Sequence, residues 1–139
     1  MKIAVDAMGG DYAPGVVIEG VLLALEELPK LQLILVGHQE KLSFYLEKAG
    51  LLHHPRVELV HAEQVVEMSD HSTDALRAKK KSSITVCADL VKAGAADAIV
   101  SAGHTGAAVA ATKVRLRTLE GIDRPALATL MPAVGGKNV

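Results

Sequence analysis

The sequence predicts an α/β protein in which helices cover both faces of a parallel β-sheet. Short apolar runs alternate with longer segments of helical periodicity, the pattern of parallel strands joined by crossover helices. The 139 residues are 50% hydrophobic but only 2% aromatic, so the core must consist of Ala, Val, Leu and Ile, which suits buried parallel strands. No internal repeat or linker divides the chain, and we expect a single domain over residues 1–139.

Five apolar runs are predicted as strands because each is short and bounded by a turn or by the start of a helix. Asp6 closes the first run and a Gly-rich turn follows it. Ser101 follows the fourth run and opens a similar turn. The predicted strands are residues 3–5, 31–36, 57–60, 97–100 and 126–130.

Four longer segments between these strands are predicted as helices. Pro14 begins the first, since its fixed φ and missing N–H suit a first helical turn, and Asp11 is the nearest capping residue. Pro29 ends this helix, and Gly50 and Gly94 end the next two. The predicted helices are residues 14–28, 39–49, 84–93 and 107–117, with a further helical turn over residues 74–81. Residues 61–73 follow neither pattern, and long loops of this kind are often functional.

Composition and charge argue against several classes of function. The formal net charge is −1 and basic residues are not interleaved with aromatic ones, so nucleic acid is not an expected partner. No apolar stretch is long enough to span a bilayer, and the N-terminus lacks the pattern of a secretory signal. The single cysteine, Cys87, cannot form an intramolecular disulfide, and the histidines lack metal-ligand spacing. We therefore expect a cytoplasmic protein without a metal site.

Two turns have the composition of an anion-binding site, and both follow a predicted strand and precede a predicted helix. Because the carboxyl ends of parallel strands meet at one edge of a sheet, we expect the two turns to lie side by side, where α/β proteins bind ligands. Glycines let a backbone approach a ligand closely, hydroxyl groups donate hydrogen bonds, and a histidine can act as base, donor or oxyanion stabiliser. The alternative is that both are ordinary strand-to-helix turns. The candidate residues are Asp6, Gly9, Gly10 and Asp11 in the first turn, and Ser101, Gly103, His104, Thr105 and Gly106 in the second.

A basic run over residues 77–81 is a further candidate for contact with a phosphate or an acidic partner. Arg77 and Lys81 supply charge, and Ser82 directly after them can cap a helix. A solvated helix face is the alternative interpretation. Neither the dinucleotide-binding pattern nor the Walker pattern is present, which disfavours an NAD or ATP domain.

The opening IAVDAMGGD, with Pro14 after it, resembles the N-terminal signature of the bacterial phosphate acyltransferases, which act in phospholipid synthesis. Residues 75–83, 90–94, 97–107 and 124–128 are also similar to this family, which usually has Asn where this chain has His104. The resemblance implies a three-layer α/β/α sandwich with a mostly parallel sheet, like that of the isocitrate and isopropylmalate dehydrogenases. Members of the family are much longer, so we expect this chain to be the N-terminal portion of their fold.

The resemblance also implies a reaction, in which a fatty acyl group moves from an acyl-carrier-protein thioester to inorganic phosphate. It implies no cofactor, and it implies cytoplasmic homodimers that associate peripherally with the membrane. Alternatives from the sequence are a phosphotransacetylase that uses acyl-CoA and a non-catalytic α/β binding fragment. We expect Ser101, His104 and Thr105 to take part in catalysis, and Asp6, Gly9, Gly10, Asp11, Arg77, Lys81, Ser82, Gly103 and Gly106 to bind the phosphate and the thioester.

Overall fold

The computed structural model of the protein describes residues 1–67, 69–70 and 78–129. Within these residues, four strands form one sheet in which every neighbouring pair is parallel, and four helices flank it. The strands are β1 (Lys2–Asp6), β2 (Gln32–Gly37), β3 (Val57–His61) and β4 (Ala98–Ser101). The helices are α1 (Gly15–Glu27), α2 (Gln39–Lys48), α3 (Ser83–Lys92) and α4 (Thr105–Leu116). The parallel sheet predicted from the sequence is confirmed.

The order of the strands in the sheet is β3-β2-β1-β4. The chain runs outward from β1 through β2 to β3 and then returns to the other side of β1, where β4 pairs with it. The register places Asp6 opposite Ser101, so β1 and β4 end level with each other. Such a reversal of strand order leaves a crevice at the carboxyl ends of the two central strands, and ligands bind there in open α/β sheets.

Apolar side chains alternate between the two faces of the sheet and build a core on each. On one face, Val5 and Leu35 pack in a cluster with residues of α1 and α2. On the other face, Ala4 and Ile34 pack with Cys87 of α3. The helices therefore form layers on both sides of the sheet, as the three-layer prediction requires.

Arg56, in the loop before β3, forms hydrogen bonds with the C-terminal end of α1. Its guanidinium donates to the carbonyl oxygens of Leu25 (2.8 Å) and Leu28 (2.9 Å), which have no partner within the helix. This is a C-cap supplied from a distant part of the chain, and nothing in the local sequence of α1 predicts it.

Three sequence predictions need correction or fall outside the structure. The predicted strand over 126–130 is wrong for residues 126–129, which belong to no strand and are exposed; Leu127, for example, is 69% exposed. Asp11 does not cap α1, whose N-cap is Pro14 without a side-chain hydrogen bond. Residues 74–77 of the predicted 74–81 turn lie outside the described residues. The irregular course predicted after residue 61 is confirmed over 62–67.

None of the helices described above has both the length and the apolar character needed to cross a membrane.

Candidate functional site

The two Gly-rich turns meet at the carboxyl edge of the sheet, as the sequence predicts. The Ser101 hydroxyl donates to Asp6 Oδ2 at 2.8 Å, and the Gly103 N–H donates to Ser101 Oγ at 3.1 Å. The other carboxylate oxygen of Asp6 accepts from the Met8 N–H at 3.3 Å. Asp6 is only 5% exposed. One buried carboxylate at the end of β1 therefore holds the turn after β1 and the turn after β4 together.

Gly9 and Gly103 are the points at which the two turns touch. A Cβ on Gly9 would lie 2.9 Å from the Gly103 nitrogen and 2.6 Å from Asp6 Oδ2, and a Cβ on Gly103 would lie 2.9 Å from Gly9 Cα. Gly10 has φ +112°, a conformation that other residues rarely adopt. The sequence pattern indicates that these glycines allow a ligand to approach, whereas the structure uses Gly9 and Gly103 to let one backbone approach the other.

The second turn leads directly into α4, whose first N–H groups face away from the helix body. His104 is the N-cap residue, and its Nδ1 accepts from the Ala107 N–H at 3.3 Å. The N–H groups of Thr105 and Gly106 precede this bond and have no intrahelical acceptor. Together with the positive end of the helix dipole, they form a set of donors suited to an anion.

A loop from the stretch without periodicity after β3 forms a third wall. Val66 packs against Ala107 at the start of α4. The loop also faces the first turn across a cavity of about 290 Å³, which is lined by Met8, Gly10, Asp11, Val66, Glu67 and Ser69. The loop therefore lies beside the first turn and the start of α4, and only the length of the stretch without periodicity indicated such a role in the sequence.

In the basic run over residues 77–81, the lysine linked to the site is Lys79, whereas the sequence predicts Lys81. Lys79 pairs with Asp70 at 2.5 Å, and this hydrogen bond is the main reason why the pKa of Asp70 is lowered. Asp70 follows Ser69, which lines the cavity opposite the first turn, so this ion pair lies beside that cavity. Lys81 instead points to Glu63 at 3.2 Å, with 70% of its side chain exposed. Of the described lysines in the run, Lys79 is therefore the one linked to the site.

Ser82 and Arg77 are not brought to the turns by the described structure. Ser82 is fully buried, and its hydroxyl shares a hydrogen bond of 2.8 Å with Thr85 Oγ1 instead of bonding to a helical N–H. A ligand cannot reach it in this arrangement. Arg77 lies outside the described residues.

An apolar trough of about 480 Å³ leads to the turns along the sheet face beside α1. It follows β1 from Ile3 to Asp6 and reaches Ala102 in the second turn. Val100 of β4 also lines it and is 52% exposed, because no described helix covers that side of the strand. From Val16 to Leu28, α1 borders the trough over about 18 Å. No sequence pattern indicates this trough, since it depends on which faces of β4 are covered.

The described residues include no group of three or more His, Cys, Asp or Glu side chains arranged to hold a metal ion. Cys87 is fully buried, and burial raises the pKa of its thiol well above the usual range. A protonated, inaccessible thiol is not a nucleophile.

The fold and the site define a class: α/β proteins with a parallel sheet whose ligand crevice lies at the reversal of strand order, lined here by two Gly-rich turns and a helix N-terminus. All 139 residues match the model of a family described as "Fatty acid synthesis protein". The chain belongs to this family.

Curated relatives carry the name phosphate acyltransferase, in agreement with the resemblance found in the sequence. The chain is 52% identical over 135 residues to the protein of Aeromonas salmonicida (strain A449) and 46% identical over 139 residues to that of Shewanella woodyi. It is 45% identical over 137 residues to the protein of Nitratiruptor sp.. These matches cover 97%, 100% and 99% of this chain but 40%, 41% and 40% of the relatives, so the chain spans about two-fifths of their length.

Proposed function

We propose that this chain forms the phosphate- and thioester-binding part of an enzyme that transfers a fatty acyl group from an acyl carrier protein to inorganic phosphate. The observation that carries the proposal is the packing of the β1 and β4 turns against each other at the reversal of strand order, beside the N-terminus of α4. The description of the family and the name of the relatives support the acyl group and the phosphate acceptor.

In the proposed reaction, a phosphate oxygen attacks the carbonyl carbon of the thioester and the C–S bond breaks. The products are an acyl phosphate and the carrier thiolate. Phosphate supplies the nucleophile, so the protein has to hold the dianion in line with the carbonyl and stabilise the oxyanion that forms. The N–H groups of Thr105 and Gly106 and the Thr105 hydroxyl are suited to both tasks, because they lie at the positive end of α4.

Asp6 and Ser101 act as positioning residues in this proposal. Both oxygens of the Asp6 carboxylate accept hydrogen bonds from the turns, and the Ser101 hydroxyl both donates to Asp6 and accepts from Gly103. Buried and fully used in this way, the carboxylate does not face an incoming phosphate. Lys79 is paired with Asp70 in the structure, and in this proposal its ammonium group exchanges Asp70 for an anionic group of the substrate.

The apolar trough supports a fatty acyl substrate, because it ends at Asp6 and Ala102 and so brings an alkyl chain to the turns. A chain in this trough gains about 0.8 kcal/mol for each buried methylene group, or about fourfold in affinity. Gly20 lines the trough, and a Cβ placed there meets no atom within 4 Å. Gly20→Leu should therefore fill the trough and weaken binding of long acyl chains, whereas Gly20→Ala is the matched control.

The proposal includes the setting that the family resemblance implies. We place the protein in the cytoplasm as a homodimer that associates peripherally with the membrane, with residues 1–139 as the N-terminal part of one α/β fold. The coverage of 40–41% of the relatives supports the last of these points, that residues 1–139 are one part of a longer fold.

The test is an acyl-phosphate assay with inorganic phosphate and either acyl-carrier-protein or acyl-CoA as donor. It is run on this chain and on the longest natural form of the protein. We expect product from the carrier-protein thioester. Product from acyl-CoA alone would identify the protein as a phosphotransacetylase. The absence of product with either donor, from both forms of the protein, would favour a non-catalytic binding fragment.

Thr105→Val is the informative variant, with Thr112→Val as its control. Thr105 is exposed at the start of α4, whereas the Thr112 hydroxyl donates to the carbonyl oxygen of Ala108 within the same helix. Loss of one hydrogen bond to a charged oxygen should lower kcat/KM by about 10- to 100-fold in the first variant only. Equal activities in the two variants would contradict the placement of phosphate at this helix end.

A further inference from the structure

His104 is held in one tautomer by the helix that it caps. Its Nδ1 accepts from the Ala107 N–H at 3.3 Å, and an imidazole nitrogen that accepts a hydrogen bond carries no proton. In the neutral ring the proton therefore sits on Nε2. Among the residues that the structure describes, no protein group is hydrogen-bonded to Nε2, so this N–H remains free to donate.

His38 shows that this arrangement is not a general consequence of the backbone. It is the N-cap residue of α2 with φ −69° and ψ 110°, nearly the same as φ −67° and ψ 109° at His104. Yet His38 makes no side-chain cap bond, and its Nδ1 is buried without a partner among the described residues. Its ring instead lies edge-on to His61 at 5.7 Å between centroids. Of these two N-cap histidines, His104 therefore accepts a hydrogen bond from its helix, whereas His38 does not.

We propose that His104 serves the site as a neutral hydrogen-bond donor, with Nδ1 capping α4 and Nε2–H offered to an anionic oxygen of the substrate. That oxygen belongs to the phosphate, so the role rests on the proposed function, which places phosphate at this helix end. The role follows from the two ring nitrogens: one is used by the helix as an acceptor, and the other already carries a proton. A ring in this state does not act as a general base.

A proton on Nδ1 would remove the acceptor of the cap bond with Ala107. Two acidic groups of the site already have partners. Asp70 is paired with Lys79. Asp6, the acidic residue of β1 at this edge, is buried and bonded to Ser101.

The chemistry of acyl transfer to phosphate suits a neutral donor. The phosphate dianion attacks without a base, and a thiolate leaves with little help from an acid. The remaining requirement on the phosphate side is a fixed donor that holds the dianion in place, and a neutral imidazole at a helix N-terminus serves as a donor in other enzymes.

The first test is the tautomer of His104, measured by two-bond ¹⁵N–¹H NMR correlation on the labelled chain near neutral pH. We expect an unprotonated Nδ1 and a protonated Nε2 for His104. Replacing His38 with Asn identifies one of the competing signals and should leave the pattern of His104 unchanged. A proton on Nδ1 of His104 would overturn the proposal, whatever the activity of the protein.

The second test separates the cap from the donor with three variants at one position. Ala removes both, Ser keeps a capping oxygen, and Asn keeps a capping oxygen together with an N–H donor. We expect His104→Ala to lower Tm by about 4 °C and His104→Ser and His104→Asn to restore most of this loss. With inorganic phosphate as the probe, His104→Ala and His104→Ser should bind about fivefold more weakly than the original chain, and His104→Asn within about twofold.

The outcomes distinguish this inference from the proposed function. Phosphate affinity that is unchanged in His104→Ser would reduce His104 to a structural cap and overturn the donor role alone. No phosphate binding by the original chain would overturn the donor role and would count against the proposed function as well. Phosphate binding with the expected variant series, but no acyl-phosphate product from the longest natural form, would contradict the proposed function and leave the donor role standing.

Discussion

Replacing Gly103 or Gly9 with Ala tests whether the site depends on direct contact between two backbones. In Gly103→Ala the added Cβ would lie 2.9 Å from Gly9 Cα, well inside ordinary van der Waals contact. This nearest atom belongs to the backbone and cannot rotate away, so we expect the cost of overpacking, about 1–3 kcal/mol. In Gly9→Ala the new carbon also meets Asp6 Oδ2 at 2.6 Å, and this displaces the carboxylate that Ser101 holds. Loss of that charge-assisted hydrogen bond adds about 1.5–3 kcal/mol, so Gly9→Ala should cost about 2.5–6 kcal/mol.

The assay is equilibrium unfolding in urea followed by circular dichroism, with Gly20→Ala as the control. Gly20 lies inside α1, and a Cβ there meets nothing within 4 Å, so this variant should gain about 0.5–1 kcal/mol from the higher helix propensity of Ala. The expected order of stability is Gly20→Ala, original chain, Gly103→Ala and Gly9→Ala. The reasoning is refuted if Gly103→Ala unfolds at the midpoint of the original chain, or if Gly9→Ala is no less stable than Gly103→Ala.

Three further predictions follow from single contacts. Arg56→Ala should lower the free energy of unfolding in urea by about 1.5–3 kcal/mol, because two carbonyls at the end of α1 lose a charged donor; Arg56→Lys should recover less than half, and full recovery would contradict a role for the guanidinium fork. The Cys87 thiol should react with Ellman's reagent at pH 8 only after unfolding, and rapid labelling of the native chain would refute its burial. In a ¹³C NMR titration, Lys79→Ala should raise the pKa of Asp70 towards its ordinary value. Since that pKa is lowered in the folded chain, the ion pair contributes fully above the ordinary Asp pKa of about 3.9, and its contribution disappears as the pH falls through the lowered value.

Most of the fold could be predicted from the sequence because local sequence patterns determine most of its strands and helices. The strands and helices up to Leu116 follow apolar runs, periodicity and Gly or Pro boundaries, and the observed ends differ from the predicted ones by one or two residues at most positions. The predicted fifth strand failed over residues 126–129 because an apolar run becomes a strand only when it pairs with a neighbour, and among the described residues the edge strands β3 and β4 pair with no further strand. That condition is not local.

The sequence predicted that the two turns lie side by side, but it did not predict the contacts within and around them. Adjacent turns follow from parallel topology, and the structure confirms that they meet. That Gly9 touches Gly103, that Lys79 and not Lys81 lies near the turns, and that Arg56 caps α1 all depend on distances across the fold. Ser82 was predicted wrongly for a different reason. A Ser before a helix predicts a hydrogen bond to a backbone N–H, whereas packing has buried its hydroxyl against Thr85.

The hydrogen bond between Ser101 and Asp6 joins residues 95 positions apart in the chain. The β1–β2 and β2–β3 pairings need far shorter loops, so they close at a smaller entropic cost than the β1–β4 pairing does. Contacts of such long range form late in folding and slow it. Synthesis from the N-terminus adds to the delay, since the first turn emerges long before its partner. The residues of β1 and β4 that meet in one place are far apart in the order of synthesis, so a nascent chain has no assembled crevice, and binding can begin only once β4 is in the sheet.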